Sequence, residues 1–430
     1  MSVELLSILV LCAIFLLATV YPIHMGALAI AAAFVLGMFV LPGDFDAKVD
    51  LIVNRFPGGL FVVLTGVTYL FAIAKNNGTV DWLVHAALRC VRGRVALIPW
   101  VMFFVTAALT VVGAAGPAAV AMIAPVGIGF ALRHRISPVL VGLMVVNGAS
   151  AGSFSPIGIF GSITNNVVER NGLPTSPLTL FAVCLVFNVL LGVVVVALFG
   201  RRTPAGLGAP TEEWAMTQSG GAARLAAPAV PVLDVPRALT LAGLLALTTG
   251  ALFFDLDVGF SAFVLAVFLS AVNPAGAKGA VNQIAWSTVL LVCGIVTYVG
   301  LMETLGTIAY LGNAVAGIGV VVIGALAVCY IGGVVSAFAS TTGILGALIP
   351  LAVPLLERQE VSALGLICAL AISASTVDSS PFSTSGSLVV ANAPEEHREL
   401  VFRRLMQWGF SMVALAPLVA WLVLVVPRWL

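Results

Sequence analysis

Charged residues are scarce in this sequence. Asp, Glu, Lys and Arg make up 9% of its 430 residues, whereas hydrophobic residues make up 61%. A soluble protein of this length needs far more charge on its surface, so a soluble globular fold is excluded. The formal net charge is +1, which gives no basic surface for nucleic acid. Apolar runs of about 17–25 residues recur, the length of a helical span, so we predict an all-α polytopic membrane protein in the lipid bilayer.

Residues that usually hold metals or perform catalysis are also few. None of the six Cys residues forms a CxxC pair, and the four His residues fall at predicted span ends or in loops. Neither an HExxH nor a GxGD motif is present, and no His lies in a span to activate a serine of "TSGS" at 384–387. We therefore predict no enzyme, no catalytic residue and no cofactor, and no metal beyond a coupling Na⁺.

Ten apolar segments are predicted to cross the membrane. They are 4–21, 24–41, 58–75, 138–165, 178–199, 237–254, 258–272, 286–303, 361–390 and 408–426. Two further apolar regions, 95–132 and 318–356, have small residues with a Gly or Pro at their centre, which predicts re-entrant hairpins that enter and leave on one side. The first segment could be misread as a signal peptide, but it lacks a basic start and contains Glu4, so we interpret it as a span.

The distribution of basic residues predicts the orientation of the chain. With ten crossings and two hairpins, one side carries 14 of the 19 Lys and Arg residues, and the positive-inside rule assigns that side to the cytoplasm. The other side carries Lys48, Arg55, Arg170, Arg358 and Arg428. A bacterial inner membrane, with both termini outside, is the predicted location.

An internal repeat divides the chain into two halves. "SAGSFSPIGIFGSI" at 150–163 matches "STVDSSPFSTSGSL" at 375–388 with an offset of 225 residues, and Pro125 and Pro350 share that offset. "GTVDWL" at 78–83 resembles "GTIAYL" at 306–311 with an offset of 228.

The repeat defines the predicted domains. We expect an N-terminal repeat over 1–199, a polar cytoplasmic linker over 200–236 and a C-terminal repeat over 237–430. Because each half has five crossings, the two repeats are expected to be inverted relative to each other.

Each repeat contains one predicted broken helix, at 138–165 and 361–390. Pro removes a backbone donor and Gly tolerates unusual backbone shapes, so each segment should unwind at mid-membrane. Such backbone survives only where it is buried or lines an aqueous cavity. The free N–H groups of a half-helix start, together with Ser and Thr hydroxyls, form a cradle for a small anion without Lys or Arg. The hairpin tips, Ala114–Pro117 and Ser340–Thr342, are expected to point at the same place.

These residues form the predicted substrate site. They are Gly116, Pro117, Asn147, Ser153, Ser155, Pro156, Ser340, Thr341, Thr342, Ser379, Ser380, Pro381, Thr384 and Ser385. The alternative is that the Ser and Thr side chains bond back to their own helices or join neighbouring helices, and Asn147 has the same alternative.

Asp378 lies in the second predicted break, where the first repeat has Ser153. An ionisable group at this depth costs roughly 2.5–3.5 kcal/mol on insertion scales, so it is a candidate functional residue. A carboxylate repels an anion, so we predict that Asp378 binds the coupling cation, Na⁺ or H⁺. The alternative is a structural cap at the start of the second half-helix.

The paired hairpins and broken Ser/Pro/Gly helices resemble the ion transporter superfamily, which includes the divalent anion/sodium symporters. "NGASAGSFSPIGIFGSITNNVVERNGLP" at 147–174 and "STVDSSPFSTSGSLVVAN" at 375–392 look most like the MatC-type malonate/dicarboxylate carriers. The resemblance implies an elevator-type secondary transporter of small dicarboxylates, usually a homodimer. The sequence departs from the symporters at the hairpin tips, which commonly carry Ser-Asn-Thr, whereas here they read "AAGP" and "STT".

The predicted function is cation-coupled uptake of a dicarboxylate of the malonate, succinate and malate class. A carrier of citrate or arsenite, or a Na⁺/H⁺ antiporter, remains the alternative. A channel is less consistent with two broken inverted repeats, which fit alternating access.

Overall fold

In the computed structural model, the chain is described over residues 2–80, 82–83, 86, 95–174, 176–200, 233–254, 256–308, 310, 321–338, 341–356 and 361–428. The regular structure of these residues is helical throughout. Within them, six helices are long and apolar enough to cross a membrane. The prediction of an all-α polytopic membrane protein is thus confirmed.

The N-terminal half contains nine described helices. They are α1 (Val3–Val20), α2 (Met25–Val40), α3 (Phe45–Val53), α4 (Gly58–Asn76), α5 (Ile98–Val111), α6 (Gly116–Arg133), α7 (Pro138–Ser153), α8 (Ile159–Arg170) and α9 (Pro177–Phe199). A 3-10 turn at Val95–Leu97 precedes α5. Helix α3 was not predicted from the sequence. It starts where the Asp44 carboxylate accepts a hydrogen bond from the Ala47 backbone N–H at 3.0 Å.

The C-terminal half also contains nine described helices. They are α10 (Val235–Phe253), α11 (Val258–Val272), α12 (Pro274–Ala277), α13 (Trp286–Thr304), α14 (Val321–Phe338), α15 (Thr341–Leu356), α16 (Ala363–Thr376), α17 (Thr384–Ala391) and α18 (Glu395–Ala420). The helix that contains the predicted last span, 408–426, is longer than that span. Helix α18 already begins at Glu395, after Pro394, and its first turns are charged but still helical.

The two interrupted apolar regions are helical hairpins at the predicted places. The first consists of α5 and α6, and its turn contains Gly113 with a φ of 99°. A Cβ at Gly113 would lie 2.0 Å from the Val67 side chain of α4, so the turn needs glycine for both its backbone and its packing. The second hairpin consists of α14 and α15, and its tip at 339–340, which includes Ser340, lies outside the described residues.

Two pairs of helices, one from each half in every pair, pack through glycines. Helix α2 packs against α13, where a Cβ on Gly26 would lie 2.1 Å from the Leu290 carbonyl oxygen. Helix α4 packs against α11, where a Cβ on Gly66 would lie 2.6 Å from the Gly259 carbonyl oxygen. Small residues at such interfaces let membrane helices approach closely. We call α2, α4, α11 and α13 the scaffold.

The hairpins and broken helices form a second group, α5–α8 and α14–α17, which we call the core. Their packing is reciprocal, because α15 packs against α8 and α6 packs against α17. In each case the second arm of one hairpin lies on the second half of the other repeat's broken helix. The scaffold pairs are reciprocal in the same sense. Helix α4 packs against α11, and their equivalents in the other half, α13 and α2, pack against each other. A pseudo-two-fold axis that relates the two halves accounts for both patterns.

The scaffold contacts the core unequally. Helix α15 packs along α13, and α8 packs on α4. Over the described residues, no comparable packing joins α6 to α4 or α17 to α13, although the pseudo-symmetry makes these pairs equivalent. The core therefore packs asymmetrically on the scaffold.

Basic residues assigned to one side of the membrane by the sequence lie together. The Asn77 amide, which follows Lys75 at the end of α4, donates to the Thr240 hydroxyl at 2.7 Å. The Arg237 guanidinium donates to the Asn77 backbone carbonyl at 3.2 Å, and the Asn76 amide to the Lys278 carbonyl at 3.4 Å. This arrangement is consistent with the predicted cytoplasmic side.

Candidate substrate and cation site

The two helix breaks share an equivalent backbone hydrogen bond. The first lies at 154–158 between α7 and α8, and the Gly158 N–H donates to the Ser155 carbonyl at 2.9 Å. The second lies after a 3-10 turn at Val377–Ser379, and the Ser383 N–H donates to the Ser380 carbonyl at 3.0 Å. The two donors are 225 residues apart, and so are the two acceptors, so this hydrogen bond follows the repeat seen in the sequence.

In each repeat, a glycine of the second half-helix packs directly against a backbone carbonyl of the break. A Cβ on Gly161 would lie 1.9 Å from the Ser155 carbonyl oxygen, and a Cβ on Gly386 would lie 1.9 Å from the Ser380 carbonyl oxygen. No side chain fits at either position, because the atom in the way belongs to the backbone. These two glycines therefore allow α8 and α17 to start directly against the unwound residues.

The two half-helices differ in how they begin. The Ser383 hydroxyl caps α17 by accepting from the Gly386 N–H at 3.0 Å. Gly158 holds the equivalent position before α8 and has no side-chain acceptor. The first backbone N–H groups of α8 thus have no capping side chain, and they carry the positive end of the helix dipole. Ser383 was not among the residues predicted from the sequence, although a Ser three residues before Gly386 is a recognisable capping signal.

Asp378 is buried, with 6% of its surface exposed. The Ser385 hydroxyl donates to its carboxylate Oδ2 at 3.1 Å, and the side chain of Thr341 lies close to the same carboxylate. The carboxylate thus joins the break, the start of α17 and the start of α15. The alternative that Asp378 caps α17 does not hold, because Ser383 is the capping residue. Only the Asp378 backbone carbonyl contacts Ser383, as an acceptor of its hydroxyl.

The second hairpin is fastened to the helix that leads into this break. The Ser336 hydroxyl, at the end of α14, donates to the Ala374 carbonyl at 2.7 Å and lies 2.9 Å from the Thr341 hydroxyl. Ser336 and Thr341 are both buried. Sequence reasoning missed Ser336, because it lies before the tip rather than in it.

The first hairpin contacts its own break in a similar way. The Ser155 hydroxyl donates to the Val111 carbonyl at the end of α5, at 2.8 Å. A Cβ on Gly116 would lie 3.7 Å from the Ser153 hydroxyl, which donates to the Ala149 carbonyl at 2.7 Å. The predicted residues Gly116, Ser153 and Ser155 therefore lie together.

The carboxylate cluster has no counterpart in the first repeat. The positions equivalent to Thr341, Asp378 and Ser385 are held by Gly116, Ser153 and Phe160. Phe160 packs against Phe154, with ring centroids 5.3 Å apart. A site with a negative charge and neighbouring hydroxyls is thus present in the second repeat alone, within the part of the chain that the structure describes.

Other predicted site residues are used locally. The buried Ser379 hydroxyl donates to the Thr376 carbonyl at 2.9 Å, and the Ser380 hydroxyl accepts from the Phe382 N–H at 3.3 Å. Both contacts fit the alternative in which hydroxyls stabilise the break itself. Pro381 is buried beside them.

The remaining predicted residues lie around the two breaks. Pro117 begins α6 and Pro156 lies within the first break, both half-buried. Thr342 is 8% exposed in the first turn of α15, and Thr384 is exposed at the start of α17. Asn147 lies six residues before Ser153, about 9 Å along α7, and is buried with no partner for its amide nitrogen.

Comparisons with known proteins agree with this architecture. Residues 1–153 match the family model described as "Dicarboxylate carrier protein MatC N-terminus". No curated protein matches the chain. Among solved structures, the YdaH transporter of Alcanivorax borkumensis, described as having an unusual topology, superposes with a TM-score of 0.56 at 15% identity, over 98% of each chain. The resemblance to MatC-type carriers is confirmed over residues 1–153, and the fold is that of a multi-pass membrane protein similar to a solved transporter.

Proposed function

We propose that this chain, whose first 153 residues match the MatC N-terminal family, is a secondary active transporter of small dicarboxylates such as malonate, succinate or malate. The observation that carries the proposal is the meeting of both broken helices inside the core. Helix α7 packs against α16, against the 3-10 turn at Val377–Ser379 and against α17. Two unwound segments from opposite halves thus lie side by side, each followed by a half-helix N-terminus.

The cradle lacks basic side chains. The stretches 111–117, 153–161 and 374–386 contain no Lys, Arg or His. A dicarboxylate there would be held by backbone N–H groups, of which those of α8 have no side-chain cap, and by hydroxyls. None of these groups carries a full positive charge to offset two carboxylates, so a cation that binds with the anion would strengthen its binding. This consideration favours coupling to Na⁺ or H⁺.

Asp378 is the proposed cation ligand. Its carboxylate, together with the Thr341 and Ser385 hydroxyls, gives oxygen atoms of the kind that Na⁺ binds, and the same carboxylate could carry a proton instead. Since the first repeat has no equivalent carboxylate, we propose one charged cation site per chain.

An elevator motion is the proposed mechanism. The core packs on the scaffold through α15 on α13 and α8 on α4, without the pseudo-equivalent contacts among the described residues. In a protein built from two inverted repeats, exchanging the roles of the halves gives the second conformation. The proposed second state therefore has α6 packed along α4 and α17 on α13.

Transport by purified protein in liposomes tests the proposal. Labelled malonate or succinate should accumulate under an inward Na⁺ or proton gradient, and the uptake should saturate. The buried carboxylate at Asp378 also favours a second candidate, a Na⁺/H⁺ antiporter. An antiporter would exchange Na⁺ for protons with no carboxylate present, and that result would overturn the carrier. Citrate and arsenite serve as competing substrates in the same assay.

The proposed location is a bacterial inner membrane, and the proposed assembly is a homodimer. The excess of Lys and Arg on one side supports a bacterial inner membrane with that side in the cytoplasm. A homodimer is proposed from the resemblance to the superfamily. Native mass determination of the protein in detergent, with subunits of 44.3 kDa, tests it.

A further inference from the structure

A cavity lined by both charged and apolar residues lies away from the helix breaks, between scaffold and core. Its volume is about 200 Å³. Asn54 and Arg55 line it from the segment after α3, Glu303 from α13, and Arg170 and Asn171 from the end of α8. Because Arg55 belongs to the scaffold side and Arg170 to the core, the cavity is closed by two parts that the elevator proposal moves relative to each other. The charge distribution assigns both arginines to the non-cytoplasmic side.

Arg55 forms an exposed ion pair with Glu303 of α13. Its Nη1 donates to Glu303 Oε2 at 3.1 Å, and the two side chains are 37% and 54% exposed. A Cβ on Gly300 would lie 3.0 Å from Arg55 Cβ, so this glycine leaves the room that the arginine occupies. Ion pairs with this exposure contribute little stability, so an anion from solution can replace the Glu303 carboxylate.

The second arginine that lines the cavity is Arg170. Its Nη2 donates to the Phe56 carbonyl at 3.5 Å, and within the described residues it makes no ion pair. With Glu303 paired to Arg55, the lining keeps one uncompensated positive charge. Two guanidinium groups and two side-chain amides line the same cavity, and they are the donors that a molecule with two carboxylates requires.

We propose that this cavity is a second anion site, which takes a small dicarboxylate between Arg55 and Arg170, with Glu303 as the competing internal carboxylate. The choice of a dicarboxylate rests on the proposed function. Since the bound anion would join scaffold to core, it holds the conformation described here.

Thiol protection tests the site directly. Asn171→Cys, introduced into the full-length protein in detergent, is reacted with a charged thiol reagent, and modification of the peptide carrying residue 171 is followed by mass spectrometry. Malonate should slow the reaction. Adding Arg170→Gln should raise the malonate concentration for half-protection roughly fivefold or more. Adding Glu303→Gln should lower it roughly two- to fivefold, because the competing carboxylate is gone.

The opposite signs of these two effects separate a site from general damage to the fold. Arg403→Gln is the matched control, since Arg403 is an exposed arginine paired with Glu399 at 2.7 Å on α18. It should leave protection unchanged. Equal protection in the Arg170→Gln protein, or weaker protection in the Glu303→Gln protein, would overturn the inference. If malonate is not transported but the pattern holds, the proposed function fails while the anion site stands.

Discussion

The Ser150 hydroxyl contacts the Ser375 backbone carbonyl, with 3.5 Å between oxygen atoms. These two serines are equivalent positions of the internal repeat, 225 residues apart. Two equivalent residues touch only where the axis that relates their repeats passes between them. The pseudo-two-fold axis thus runs between α7 and α16, just before both breaks.

This relationship explains why the two breaks are close together. Ser153 and Asp378, three residues further along each chain segment, lie in equivalent places on either side of the axis. A substrate bound near the axis therefore meets both breaks, but the carboxylate is on one side only.

Asp378→Asn is expected to weaken the dependence of transport on its coupling cation. The amide keeps the size of the side chain but removes the charge that attracts Na⁺ and the group that carries a proton, so the half-saturating cation concentration should rise roughly tenfold or more. Uptake into liposomes at varied Na⁺ concentration and pH measures this change. Ser153→Ala is the control at the equivalent position, and it should leave cation dependence intact. An Asp378→Asn protein with unaltered Na⁺ and pH dependence would refute the assignment.

Thr342→Ala and Ser380→Ala are each expected to raise the half-saturating dicarboxylate concentration. Loss of one hydroxyl contact to the anion corresponds to a change of roughly two- to tenfold. Initial rates of labelled malonate uptake measure it. Ser387→Ala removes an exposed hydroxyl that donates to the Thr384 carbonyl at 3.0 Å, and it serves as the control. If neither variant differs from Ser387→Ala, the anion binds elsewhere.

The sequence predicted the interruptions well, because their cause is local. Pro and Gly together with clustered Ser residues disfavour a continuous helix, and both breaks lie where all three occur. Single prolines such as Pro125 and Pro350 lie within continuous helices. The equivalence of Ser155 with Ser380 followed from the spacing alone. The helix α3 could not be predicted in this way. Its nine residues include three charged ones and no long apolar run.

Contacts between segments that are distant along the chain could not be predicted from the sequence. Arg55 and Glu303 are 248 residues apart, and their pairing depends on how α13 packs beside the end of α3. Ser336 fastens the second hairpin to Ala374 for a similar reason, since its role appears only when α14 lies on α16. The asymmetric packing of the core on the scaffold is likewise a property of tertiary structure, and no periodicity in the sequence encodes it.

Gly386→Ala is expected to destabilise the protein. The added methyl group would lie 1.9 Å from the Ser380 carbonyl oxygen, and the backbone of the break would have to move. Overpacking of this kind costs about 1–3 kcal/mol or more, so the apparent melting temperature in detergent should fall by several degrees. Gly161→Ala should behave alike. Gly129→Ala is the control, because nothing lies within 4 Å of its added methyl group inside α6. Equal melting of Gly386→Ala and Gly129→Ala would contradict the geometry.

A pair of engineered disulfides is expected to trap the two proposed states separately. A Cβ on Gly346 would lie 3.2 Å from the Val296 side chain, so Gly346→Cys with Val296→Cys should cross-link in the conformation described here. The pseudo-equivalent residues are Ala121, which is exposed, and Thr68, which is 4% exposed. If the core moves so that α6 packs along α4, Ala121→Cys with Thr68→Cys should cross-link during turnover with malonate and the coupling cation, and not in their absence. Each cross-link should stop uptake, and a reducing agent should restore it. In a protein with all four cysteines, formation of both bonds in one molecule would exclude the elevator motion, because the core cannot occupy both ends of its path at once.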